Sequence, residues 1–130
     1  MSGNHTLLLL EDEPVILMDL EFAAEDRGCT SLPARDCDAA FRAIESSRID
    51  IAVLDVSLGG GATCMPVAEE LDRRGIPYLL HSADLDRQDE QIHSLDAQLI
   101  SKPAPSDAVI DAAIALLRDN SSADKRFAAE

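Results

Sequence analysis

Leu7-Leu8-Leu9-Leu10-Glu11-Asp12-Glu13-Pro14 sets four apolar residues directly against three acids and a proline. A short apolar run without alternation marks a strand covered on both faces, as in a parallel sheet; a strand with one wet face would alternate. The acids and Pro14 then open a helix, because a helix N-terminus favours negative charge and proline's fixed φ suits the first turn. Ile16, Leu20, Ala23 and Ala24 follow at helical spacing, and Gly28 stops the run.

The same alternation continues outward. Residues 29–33 form a weak second strand, and Asp36 or Asp38 caps a helix carrying Ala40, Phe41 and Ile44 on one face. Ile51-Ala52-Val53-Leu54 is a third strand, ending at Asp55. Gly59-Gly60-Gly61 forms a mobile loop, and a helix over 65–74 turns Val67, Ala68 and Leu71 inward before Gly75. Pro77-Tyr78-Leu79-Leu80 is the fourth strand, ending at His81-Ser82. The polar stretch 84–94 holds a short helix whose apolar face is thin, with Ile92 and Leu95, so its stability is marginal. Residues 97–100 form a fifth strand ending at Ser101-Lys102-Pro103, and Ser106 caps a last helix with Ile110, Ala113, Ile114 and Leu117 on one side. Strands alternating with helices predict an α/β fold, a doubly wound five-stranded parallel sheet. One domain spans 1–118, and the polar tail 119–130 frays or extends the last helix.

Composition agrees. The chain has 130 residues, one domain's worth, and is 46% hydrophobic, enough for a single core. It carries 11 basic and 25 acidic side chains, a net charge of −14, which repels nucleic-acid phosphates and anionic membranes alike. No apolar run approaches the roughly 18 residues of a spanning helix. No basic segment precedes Leu7, so a signal peptide is not expected. Cys29, Cys37 and Cys64 are odd in number and contain no C-x-x-C pair, which reads as reduced, structural and cytoplasmic.

The polar residues at strand ends carry the chemistry. In doubly wound sheets ligands bind beyond the carboxyl ends of the strands, where strand order reverses; for the order 2-1-3-4-5 that point lies between strands one and three. Glu11, Asp12 and Asp55 converge there, with Ser82 and Lys102 beside them. Crowded carboxylates recruit a cation or hold a proton, and an all-oxygen donor set suits Mg²⁺. A carboxylate can attack phosphorus to form an acyl phosphate, and an ammonium and a hydroxyl can then bind its other oxygens.

Glu11-Asp12, Asp55 within Val53-Leu54-Asp55, Ser82-Ala83 and Lys102-Pro103, in this order, resemble a response-regulator receiver domain of two-component signalling over residues 6–118. The resemblance implies the flavodoxin-like receiver fold. It implies Asp55 as phosphoacceptor, with Mg²⁺ held by Glu11, Asp12, Asp55 and the Ser57 backbone carbonyl. Ser82 would be the switch hydroxyl and Lys102 the phosphate-binding cation. Asp55-Val56-Ser57-Leu58-Gly59-Gly60 and Arg73-Arg74-Gly75-Ile76-Pro77-Tyr78 resemble small stand-alone proteobacterial receivers that work with HWE-type histidine kinases. The implied donor is such a kinase or a histidine phosphotransfer protein. The role is that of a signalling phosphoacceptor, not an enzyme, with output through a protein partner. Two departures from the pattern stand out. Leu99 stands where receivers usually carry an aromatic switch residue, and Leu80-His81-Ser82-Ala83 replaces the Phe-Ala-Thr-Gly of the narrower group.

Simpler readings exist for each residue alone. Glu11-Asp12-Glu13 is a helix-start signal, Asp55 a turn cap, Ser82 a loop serine and Lys102 a solvated lysine. The triple glycine lacks the Gly-Lys-Ser/Thr of a phosphate loop. Adjacent strand residues point to opposite faces, which argues against a His81–Ser82 nucleophilic pair. His5 and His93 have no metal-ligand spacing. Competing functions are an unphosphorylated pseudo-receiver, a phosphate sink in a phosphorelay, and a small hydrolase.

Overall fold

The structure, a computed structural model, describes residues 5–82 and 97–129. Its strands are β1 (Thr6–Leu10), β2 (Thr30–Ala34), β3 (Ile51–Asp55), β4 (Tyr78–Ser82) and β5 (Leu99–Ser101). Its helices are α1 (Pro14–Asp26), α2 (Cys37–Ser46), α3 (Met65–Arg74) and α4 (Ser106–Ala129). All four strand pairings are parallel, and the order is β2-β1-β3-β4-β5. The helix expected over 84–94 lies outside the described residues.

Two apolar layers explain why β1 and β3 read as unbroken hydrophobic runs. Leu8, Leu10, Ala52, Leu54 and Leu80 pack on one face against Ala40 and Ile44 of α2 and Val67, Ala68 and Leu71 of α3. Leu7, Leu9, Ile51, Val53 and Leu79 pack on the other, against Leu17, Leu20, Ala23 and Ala24 of α1 and Val109, Ile110 and Ala113 of α4. Side chains alternate between the faces, but both faces are covered, so no position asks for a polar residue. Each fully buried leucine contributes about 1.5–3 kcal/mol relative to an exposed one.

Local signals set the helix ends. Asp36 caps α2, its side chain accepting from the Ala39 N–H at 2.8 Å. Pro14 sits in the first turn of α1, whose N-cap Glu13 makes no side-chain cap bond. Glu11 and Asp12 lie outside the helix, in the connection from β1. Gly75 closes α3 in the left-handed region (φ 72), which only glycine enters at no steric cost.

Several boundaries differ from expectation, among them β2, which runs Thr30–Ala34 and not 29–33, and the start of β4, at Tyr78 and not Pro77. β4 runs on through His81 and Ser82, because those residues pair with Ile100 and Ser101. β5 begins at Leu99 rather than at 97. α4 starts at Ser106 and continues past Arg118 to Ala129, the helical alternative for the polar tail. Among the described residues no helix is long and apolar enough to cross a membrane.

Candidate phosphoacceptor and cation site

The strand order brings the ends of β1 and β3 side by side, and the acids that follow those strands meet there. One carboxylate oxygen from each of Glu11, Asp12 and Asp55 lies within 4.8 Å of the others. Glu11 is 1% and Asp55 4% exposed, and Asp12 is half-buried. Glu11 is locked in place: its N–H donates to the Ala34 carbonyl at 3.0 Å, and its Oε2 accepts from the Glu13 N–H at 3.2 Å.

Lys102 arrives from the other side. Its backbone N–H donates to the Ser82 carbonyl at 2.8 Å, which ties the end of β5 to the end of β4. The Lys102–Pro103 peptide bond is cis. Lys102 Nζ then lies 3.1 Å from Glu11 Oε1 and 3.3 Å from Asp55 Oδ2. One ammonium thus serves two nearly inaccessible carboxylates.

The electrostatics follow from burial. Loss of solvent, then the Glu11 charge, pushes the Asp55 carboxyl up to about 8, with Lys102 opposing. Burial also works against the Lys102 ammonium, but Glu11 and Asp55 outweigh it and raise its pKa. The cluster holds more negative charge than one lysine compensates. Its donors are all carboxylate oxygens, a set that fits a hard divalent cation such as Mg²⁺.

The remaining expected residues take distinct places. Ser82 closes β4, 4% exposed, opposite Ser101 in register. Ser57 is exposed, two residues beyond Asp55, and bridges to Thr63 across the glycine loop. Leu99 is half-buried against the α2/α3 layer. His5 is half-buried, and His93 lies outside the described residues.

Sequence reasoning gave two residues no role in the site. The glycine loop is held by hydrogen bonds, Ala62 N–H to the Gly59 carbonyl at 3.0 Å and Leu58 N–H to the Ala62 carbonyl at 2.9 Å. Within it Gly59 (φ 79) passes so close to the cluster that a Cβ there would sit 3.2 Å from Asp12 Oδ2. The second is His81, the register partner of Asp55 and 3% exposed. Burial and the nearby Lys102 lower its pKa, with Glu11 opposing. A polar residue ending the apolar run Tyr78-Leu79-Leu80 was its only signal.

No family model and no curated protein matches this chain. Solved structures do. SdrG from Sphingomonas melonis Fr1 is 34% identical, with a TM-score of 0.71, over 90% of this chain and 98% of that one. The receiver domain of the Francisella response regulator 1452 is 22% identical (TM-score 0.74), over 89% of this chain and 98% of that one. A CheY-like response-regulator receiver domain protein from Methanospirillum hungatei JF-1 is 18% identical (TM-score 0.77), over 91% and 97%.

Proposed function

Because this chain belongs to the response-regulator receiver domains, we propose that Asp55 is its phosphoacceptor. The donor is a histidine kinase, of the HWE type by the sequence resemblance, or a histidine phosphotransfer protein. The observation that carries the reading is the ammonium of Lys102 shared between Glu11 and Asp55 inside a three-carboxylate cluster.

The chemistry runs on these residues. An ionised Asp55 oxygen attacks phosphorus, the P–N bond to the donor imidazole breaks, and its electron pair stays on the imidazole nitrogen. The attack needs the carboxylate form, which burial and Glu11 disfavour near neutral pH. Glu11, Asp12, Asp55 and the Ser57 carbonyl would hold Mg²⁺, which supplies positive charge to the cluster and to phosphoryl oxygens. Lys102 exchanges its Asp55 contact for a phosphoryl oxygen, and the Ser82 hydroxyl donates to another. Both residues lie where β4 and β5 end, so their movement is passed to the segments that follow those strands.

On this reading the protein is a cytoplasmic signalling phosphoacceptor and not an enzyme acting on a separate substrate, with output through a protein partner. To fill the active state from 1% to 99%, phosphoryl contacts must favour it by roughly 5 kcal/mol. Intact-mass spectrometry after exposure to a small-molecule phosphodonor tests the proposal. We expect one added phosphoryl group that requires both Mg²⁺ and Asp55 and is absent in Asp55→Asn. No added mass, together with no binding of beryllofluoride, would overturn it in favour of a pseudo-receiver.

A further inference from the structure

The sheet divides the three cysteines. Cys29 is buried in the layer of α1 and α4. Cys37 and Cys64 share the layer of α2 and α3, where Cys64 is 0% exposed and Cys37 packs half-buried on the same core. Both stand where a helix begins: Cys37 is the first residue of α2, and Cys64 precedes α3. The Cys37 thiol donates to the Thr63 carbonyl, 3.4 Å away, and Thr63 is bonded directly to Cys64. By the fixed dimensions of a peptide unit, the Cys37 sulfur lies no more than about 6 Å from the Cys64 Cα. The two side chains therefore need to approach by only a few ångström to bond.

We propose that Cys37 and Cys64 are a redox pair, which a peroxide converts into an intramolecular disulfide. Cys37 is the more exposed of the two and reacts first. Its thiolate attacks one oxygen of the peroxide and the O–O bond breaks. This leaves a sulfenic acid on Cys37 and a hydroxide, which takes a proton and departs as water. The Cys64 sulfur then attacks the Cys37 sulfur and the S–O bond breaks. The departing hydroxide takes the Cys64 proton, giving a second water and the S–S bond. Two thiols lose two electrons in all, and the peroxide gains them.

The surroundings set the rate. The first turn of a helix favours a negative sulfur. Burial, then Asp36 and Asp38, outweigh that and raise the Cys37 pKa, so thiolate is scarce near neutrality and the reaction is slow. The bond would take the place of the Cys37–Thr63 hydrogen bond and fasten α2 to the loop that carries Ser57 and Gly59 past the carboxylate cluster. A dithiol reductant reverses it. The inference uses the placement of the thiols and does not rest on phosphorylation of Asp55.

The test exposes the folded full chain to hydrogen peroxide at mildly alkaline pH, then unfolds it, alkylates the remaining thiols and maps the peptides without reduction. The untreated chain should carry an alkyl group on each of its three cysteines. The oxidised chain should carry one, on Cys29, with the Cys37 and Cys64 peptides joined, and dithiothreitol should restore all three. Cys29→Ala should leave the bond intact. Cys37→Ser, which keeps a donor for the Thr63 carbonyl, should abolish it and leave Cys64 alkylated. A bond that includes Cys29, a disulfide between two chains, or Cys37 oxidised to the sulfinic acid with Cys64 still alkylated would each overturn the proposal. So would three alkyl groups after peroxide treatment.

Discussion

Lys102 Nζ lies 3.3 Å from Asp55 Oδ2, across β4, which separates the two residues' strands in the sheet. The contact depends on backbone as much as on charge, since the Lys102 N–H is pinned to the Ser82 carbonyl at 2.8 Å. The lysine reaches a buried carboxyl that would rather be protonated, and holds the cluster together until another cation competes for it.

Asp55→Asn should stabilise the fold in the absence of divalent cations. Between the ordinary carboxylate value of 3.8 and about 8, folded Asp55 keeps a proton that the unfolded chain has lost. Stability from this group therefore falls as pH rises through that window. Asparagine has no such loss, so the variant's advantage should grow with pH and reach at least about 1 kcal/mol near neutrality. Urea unfolding at several pH values checks this, and an advantage that stayed flat with pH would count against the assignment.

Mg²⁺ should raise the melting temperature of the native chain. Binding at about 100 times the dissociation constant contributes about 2.7 kcal/mol to the folded state. Asp12→Ala removes one of the three clustered carboxylates and should reduce most of that gain. Thermal melts across a MgCl₂ series provide the measurement, with Ca²⁺ as a comparison.

Two adjacent glycines should separate backbone strain from site geometry. Gly60 (φ 58) has open space where a Cβ would go, so Gly60→Ala meets only the left-handed backbone penalty of roughly 1–2 kcal/mol. Gly59→Ala meets a comparable penalty and also presses on Asp12 Oδ2. Calorimetric titration should find Mg²⁺ affinity lowered in Gly59→Ala and nearly unchanged in Gly60→Ala.

Asp36→Ala should cost about 1 kcal/mol, the usual loss when an N-cap acceptor disappears. Asp36→Asn keeps an oxygen for the Ala39 N–H and should be nearly neutral. Denaturant midpoints of the two variants decide the matter, and equal losses would show that charge, not the hydrogen bond, does the capping.

Much of this was written in local pattern. Leu7 to Leu10 and Ile51 to Leu54 announced doubly covered strands, because a parallel sheet needs apolar side chains on both faces. Asp36, Pro14 and Gly75 marked helix ends through their own backbone and side-chain chemistry. Glu11, Asp12, Asp55, Ser82 and Lys102 could be grouped from sequence because strand ends in such a sheet share one edge. Local pattern failed where pairing extends a segment beyond its apolar part: His81 is held in β4 by Asp55 of β3 and Ile100 of β5, and Ser82 by Ser101.

Sequence by itself determined the α/β class, the layers and the identity of the clustered acids, since these follow from hydrophobic period and from what stands at each strand's end. Only tertiary structure decided that one ammonium bridges Glu11 and Asp55, that Gly59 abuts Asp12, and that among the described residues the buried His81 ring has no hydrogen-bond partner. Each of these is a distance or an accessibility between residues far apart in the chain or on different elements. Such quantities are fixed by register and packing, which no local run of residues encodes.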